Sequence, residues 1–135
     1  MRILALDEAG RVLLVRHSYG SRYWMPPSGG LAAGEEACAA AARELREETG
    51  AGLADAVELG TLGESLSGAS DTVHLVAGRL TGTPRADNRE ILAVGLFAPA
   101  ALPRPMTARM TANLPEWVKA AAGHFPPRPS GERTA

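Results

Sequence analysis

The sequence predicts a sandwich of the α+β or α/β type, with a mixed β-sheet lying between helices, and three observations carry that expectation. Apolar runs of β-type composition come first, at residues 2–7 and 11–16. A stretch dominated by Ala, Glu, Arg and Leu follows at residues 35–49 and reads as a helix. More apolar runs and a second helical stripe come after it, so the order is strand, strand, helix, strands, helix.

The first two runs are separated by Glu8-Ala9-Gly10, a turn sequence, and should form a hairpin. Residues 17–34 are rich in Ser, Tyr, Gly and Pro. Pro26-Pro27-Ser28-Gly29-Gly30 cannot be regular helix, because proline removes a donor and glycine costs backbone entropy. After the helix at 35–49, Gly50 stands where a helix-ending glycine belongs. Residues 57–63 and 71–80 read as strands around a Ser/Gly loop at 65–70. Residues 81–89 form a polar connection, 91–97 another apolar run, and 99–102 a single helical turn. Met106, Met110, Leu114, Trp117, Val118 and Ala121 make a helical stripe despite Pro115.

A chain of 135 residues, 45% hydrophobic and 21% charged, is suited to one domain with one core. That domain is expected to span residues 1–122, with a Pro-rich, disordered tail at 123–135. A net charge of −1 argues against a broad basic surface, so no nucleic acid polymer is expected as a partner. The single cysteine, Cys38, excludes an internal disulfide framework. No apolar run approaches the roughly 20 residues that cross a bilayer, and the first residues lack a signal-peptide design. No membrane partner is therefore expected, and the expected location is cytoplasmic.

The chemistry is concentrated in the first helix. With Glu44 at zero and steps of about 100° per residue, Glu47 falls near about 300° and Glu48 near about 40°. The three carboxylates thus share an arc of about 100°, beside a separate apolar face formed by Cys38, Ala41 and Leu45. Like charges at such spacing repel by about 0.2–0.5 kcal/mol per pair when exposed. A hard divalent cation such as Mg²⁺ reverses that sign, since it prefers carboxylate oxygens and completes its shell with water and phosphate. Taken alone, the triplet also suits a solvated face on which Arg43 and Arg46 neutralise the acids. The glycine loop ahead of it weighs against that plain reading, because glycines let backbone approach a ligand and free N–H groups at a helix start favour anions.

Gly29, five residues, Glu35, seven residues and then Arg43-Glu44-Leu45-Arg46-Glu47-Glu48-Thr49-Gly50-Ala51 resembles the signature of the Nudix hydrolases, and Trp24-Met25-Pro26-Pro27-Ser28-Gly29-Gly30 resembles that family's lead-in. The resemblance implies a Nudix-type α/β/α sandwich with a mixed sheet between helices. It implies Glu44, Glu47 and Glu48 as metal ligands, with Glu44 or Glu47 also a candidate catalytic base. Gly29, Glu35, Arg43 and Gly50 would support this signature, the Nudix box of residues 29–51, Glu35 and Arg43 as an ion pair, and the carbonyl of Ser28 or Gly29 would be a further ligand. Ser28, Ala32, Ala51 and Leu96 depart from the common pattern without removing a box carboxylate.

The implied cofactor is Mg²⁺, with Mn²⁺ able to substitute. The implied reaction is attack of water at phosphorus, cutting a pyrophosphate linkage in a nucleoside diphosphate joined to a nucleotide, a sugar or a similar group. Housecleaning hydrolysis of nucleoside triphosphates, a catalytically silent nucleotide sensor and an interaction protein using the acidic face stay open beside it. The partner is expected to be a small nucleotide-type molecule, and the protein a monomer or homodimer.

Outside the box, Glu90 is the candidate for an additional ligand or base, against a plain solvated acid before a strand. Arg16, Arg22 and Tyr23, with Tyr19 and Trp24, precede the glycine loop and are candidates for substrate contact, although Trp24 reads first as core packing. His17 follows the second strand and is placed either at a phosphate or on the surface. His74 reads as a satisfied sheet residue and Cys38 as a small hydrophobe.

Overall fold

A computed structural model describes residues 1–18, 22–66 and 69–128; the side chains of residues 62–66 and 69–72 lie outside that description. Strands β1 (Arg2–Leu6) and β2 (Val12–His17) form the expected antiparallel hairpin. Its turn is closed by Asp7, whose Oδ1 accepts the backbone N–H groups of Ala9 and Arg11 at 3.0 and 2.8 Å. Gly10 holds φ at 80°, a conformation that glycine adopts without steric cost.

Helix α1 (Ala37–Thr49) follows, then strands β3 (Gly52–Leu66), β4 (Ala69–Thr81) and β5 (Ile91–Phe97), then helix α2 (Ala108–His124). The sheet order is β3-β4-β1-β2-β5; β1 and β4 run parallel and the other neighbours antiparallel. Alternation along the strands sends successive side chains to opposite faces. Ile3, Ala5, Leu13 and Val76 pack with Ala37, Ala41 and Leu45 of α1. Leu4, Leu6, Val12, Leu14, Leu75 and Ala77 pack with Met110, Leu114, Val118 and Ala121 of α2. The mixed sheet between two helix layers is the architecture expected from the sequence.

Several boundaries differ from expectation. β3 begins at Gly52 rather than at residue 57, because the pairing slips between Ala54 and Val57 and again between Glu58 and Gly60. Such bulges break the period of two by which a strand is read. Ser65 pairs with Ser70 and Leu66 with Ala69, so the strands run into the segment assigned to a loop; residues 67 and 68 are outside the described residues. At the other end, α2 continues to His124, Phe125 is buried, and the Arg128 N–H donates to the Glu8 carbonyl at 2.8 Å. The first residues assigned to the tail thus pack on the domain, and residues 129–135 are outside the described residues. No helix among the described residues is long and apolar enough to cross a membrane.

Candidate active site

The glycine loop is laid against the sheet by backbone pairing. Val15 and Met25 form one isolated bridge, Arg2 and Ser28 another, and the Ile3 N–H donates to the Pro27 carbonyl at 2.8 Å. This brings Gly29 over α1. A Cβ built on Gly29 would overlap Cδ and Cγ of Glu44 and lie 2.6 Å from its Oε2. The Gly29 carbonyl accepts from the Met1 ammonium at 2.6 Å.

Loop and helix are joined by Arg43 and Glu35. Arg43 donates from Nε to Glu35 Oε2 at 2.8 Å and from Nη2 to Oε1 at 2.9 Å, a two-pronged ion pair, and Nη2 also reaches the Gly30 carbonyl at 3.2 Å. Those Arg43 bonds, followed by the Ala32 N–H, hold the Glu35 carboxyl down at about 2. The remaining arm of Arg43, Nη1, donates to Glu44 Oε1 at 3.0 Å and approaches Glu47 Oε2 at 3.3 Å. At the helix start the Glu36 side chain accepts from the Cys38 N–H at 3.3 Å. At its end Gly50 takes φ 77° and donates to the Arg46 carbonyl.

Glu48 differs from its neighbours. Its side chain is 16% exposed, against 59% for Glu47, and its Oε2 is buried with no hydrogen-bond partner among the described residues. Burial, and then the charges of Glu44, Glu90, Asp87 and Glu47, push its carboxyl up to about 7. His17 Nε2 stands 3.9 Å from Glu48 Oε1. Of the two readings open for His17, the surface one fails: it is buried, at the end of β2, where it pairs with Ile91 of β5. The alternation that puts Leu13 on the α1 face runs on to His17, a signal present in the sequence. Burial lowers the pKa of its ring, against the nearby Glu90 charge, which raises it.

Glu90 lies on the exposed loop before β5, and its carbonyl accepts the Ser18 N–H at 2.9 Å. Through Ser18 it adjoins His17, whose Nε2 lies 3.9 Å from Glu48 Oε1, and its charge acts on both His17 and Glu48. Asp87, on the same loop, escaped the reading of the sequence because residues 81–89 show only a polar connection.

The residues proposed for substrate contact are spread along the segment before the glycine loop. Arg16 Nε donates to the Arg22 carbonyl at 3.1 Å, and its guanidinium lies 5.7 Å from the centre of the Trp24 ring. Trp24 also meets Phe97 edge-on, with ring centres 5.0 Å apart, so it packs against the core. Arg22 and Tyr23 are exposed, and no described contact ties either to the box acids. Tyr19 lies outside the described residues. His74 bonds Glu58 across β3 and β4, a satisfied sheet residue, and Cys38 packs partly buried on the α1-face core.

The fit of a divalent cation can be judged from these donors. Hard carboxylate oxygens on one helix face are the right type, and an orphaned buried oxygen such as Glu48 Oε2 is costly until something positive meets it. Among the described residues no three His, Cys, Asp or Glu side chains are gathered to enclose an ion, and Arg43 engages Glu44 and Glu47 instead. Chemistry and burial therefore fit, while Arg43 would have to release two of the carboxylates.

A search of curated protein sequences found no match. Solved structures do share the fold. A MutT NUDIX hydrolase from Burkholderia pseudomallei superposes with a TM-score of 0.68 at 23% identity, over 88% of this chain and 96% of that one. A UDP-X diphosphatase gives 0.71 at 22%, over 93% of this chain, which spans only 63% of that one. A C. elegans Ap4A hydrolase gives 0.66 at 17%, over 92% and 94%. The family model described as NUDIX domain matches residues 1–120. With the box acids, their Arg43–Glu35 clamp and the sandwich all in one chain, this protein belongs to the NUDIX domain family and is a pyrophosphohydrolase of the Nudix type.

Proposed function

We propose that this chain is a Mg²⁺-dependent hydrolase, able to use Mn²⁺, that cleaves the pyrophosphate linkage of a nucleoside diphosphate joined to another group. The observation that carries this reading is Glu48 Oε2, buried without a partner and surrounded by the charges of Glu44, Glu47, Glu90 and Asp87. A carboxylate is tolerable there when a cation offsets the charge.

In this reading Glu44, Glu47 and Glu48 hold the ion. When bound, Mg²⁺ supplies charge neutralisation at phosphate oxygens and acidifies a water molecule. Gly29 leaves room for Glu44 to lie under the loop, while Glu35 and Arg43 fix the loop to the helix. Glu44 or Glu47 accepts the proton of the attacking water, with Glu90 as an additional ligand or base. Arg22 and Tyr23 meet the substrate from the preceding segment, whose course Arg16 fixes by bonding the Arg22 carbonyl.

The test is hydrolysis of a panel of nucleoside diphosphate compounds in ¹⁸O-labelled water, with Mg²⁺ and with chelator. A mononucleotide and a second phosphorylated product, one of them labelled, are expected with Mg²⁺ only. Pyrophosphate release from triphosphates would redirect the substrate assignment, and turnover undiminished by chelator would overturn the metal requirement.

A further inference from the structure

Glu90 sits on a loop, yet its backbone is unusually well held. Oδ1 of Asp87 accepts the N–H groups of Arg89, Glu90 and Ile91 at 2.9, 3.0 and 2.9 Å. Asn88, at φ 61°, donates its N–H to the Ile91 carbonyl at 3.0 Å. From the other side, the Ser18 hydroxyl donates to the Arg89 carbonyl and the Ser18 N–H to the Glu90 carbonyl at 2.9 Å. Ser18 follows His17, whose Nε2 lies 3.9 Å from Glu48 Oε1. An unbroken chain of contacts therefore runs from Asp87 through Glu90 and Ser18 to the box.

We propose that Asp87, together with Ser18, is a positioning device that fixes the Glu90 backbone against the Ser18–His17 end of β2, next to the Glu48 side of the site, and so completes the acidic site from outside the helix. The proposal rests on the reading of Glu90 as an acid of that site. A side-chain oxygen that gathers consecutive backbone N–H groups locks a turn that would otherwise sample many conformations. Without this lock the Glu90 carboxylate samples a wider volume, and a ligand that must be oriented at each encounter contributes less to binding. Asp87 touches neither water nor phosphate in this scheme. It acts through Glu90.

The charge of Asp87 offers a competing explanation, since it also contributes to the environment of Glu48. Asparagine separates the two, because it keeps the Oδ1 acceptor and removes the charge. The experiment measures Mn²⁺ affinity by electron paramagnetic resonance on the full chain, for wild type, E90Q, D87A, D87N and D87A/E90Q, with thermal melts alongside. E90Q and D87A are each expected to weaken Mn²⁺ binding by about tenfold or more. D87N should bind within about twofold of wild type, and D87A/E90Q should be no weaker than E90Q.

If D87N fails as D87A does, Asp87 acts by charge and the positioning role is overturned. The same follows if D87A is harmless while E90Q weakens binding, a result that leaves Glu90 in the site. An equal loss on adding D87A to wild type and to E90Q would make the effect independent of Glu90 and overturn the proposal. Unchanged affinity in E90Q would remove Glu90 and its support together, whereas absence of Mn²⁺ binding by wild type would overturn the cation site itself.

Discussion

The backbone of Gly29 passes so close to Glu44 that a Cβ there would overlap the Glu44 carboxyl group, 2.6 Å from its Oε2. Gly29 therefore cannot gain a side chain unless Glu44 moves. The overlap falls on the end of a side chain, so G29A should fold and displace Glu44 instead. Mn²⁺ affinity and turnover are expected to fall about 10- to 100-fold with a nearly unchanged melting temperature. Titration and a thermal melt of the same sample check both parts, and unchanged affinity would show that Glu44 need not lie under the loop.

Glu35 gives a prediction on the acid side. Its folded pKa, about 2, lies below the ordinary 4.5, so its contribution to stability is present above pH 4.5. That contribution is lost as pH falls from 4.5 toward 2. E35Q should flatten this part of the stability curve, as read by denaturant melts across pH. An unaltered acid limb would mean that the Arg43 clamp does not operate in solution.

Glu48 works in the opposite direction. With its folded pKa raised from 4.5 to about 7, the folded state binds the proton more tightly than the unfolded chain. In chelator, stability should therefore fall as pH rises from 4.5 to 7, by at most about 3 kcal/mol and about 1–2 kcal/mol after solvent screening. E48Q should remove this slope and be the more stable protein at pH 8. A wild-type curve with no decline between those pH values would contradict the burial assigned to Glu48.

Leu45 separates packing from chemistry. It is fully buried at the centre of the α1 face, beside Ile3, Leu13 and Val76 in the same cluster. L45A removes this contact and should cost about 2–5 kcal/mol in a denaturant melt. A loss below about 1 kcal/mol would mean that α1 does not depend on that face.

Much of the site was legible because it is local. The acid triplet and the apolar face of Ala41 and Leu45 follow from helical geometry, and the glycine loop lies at fixed spacing ahead of them. The core faces of β1 and β2 follow from strand alternation for the same reason. What stayed hidden depends on segments meeting from far apart. Asp55 at φ 55° and Gly60 at φ 144° stand where the β3 pairing slips, so its first residues do not alternate as a regular strand would. His17 continues the alternation of β2, but its place 3.9 Å from Glu48 depends on β2 and α1 packing together. Asp87 matters because its loop turns back on itself, which composition does not reveal.

The central claim is that the carboxylates of α1, Glu48 above all, form a divalent-cation site. Mn²⁺ titration followed by electron paramagnetic resonance, on wild type and E48Q at pH 8, tests it most directly. Wild type should bind, and E48Q should fold normally while binding at least about tenfold more weakly. Equal affinity in the two proteins would contradict the account.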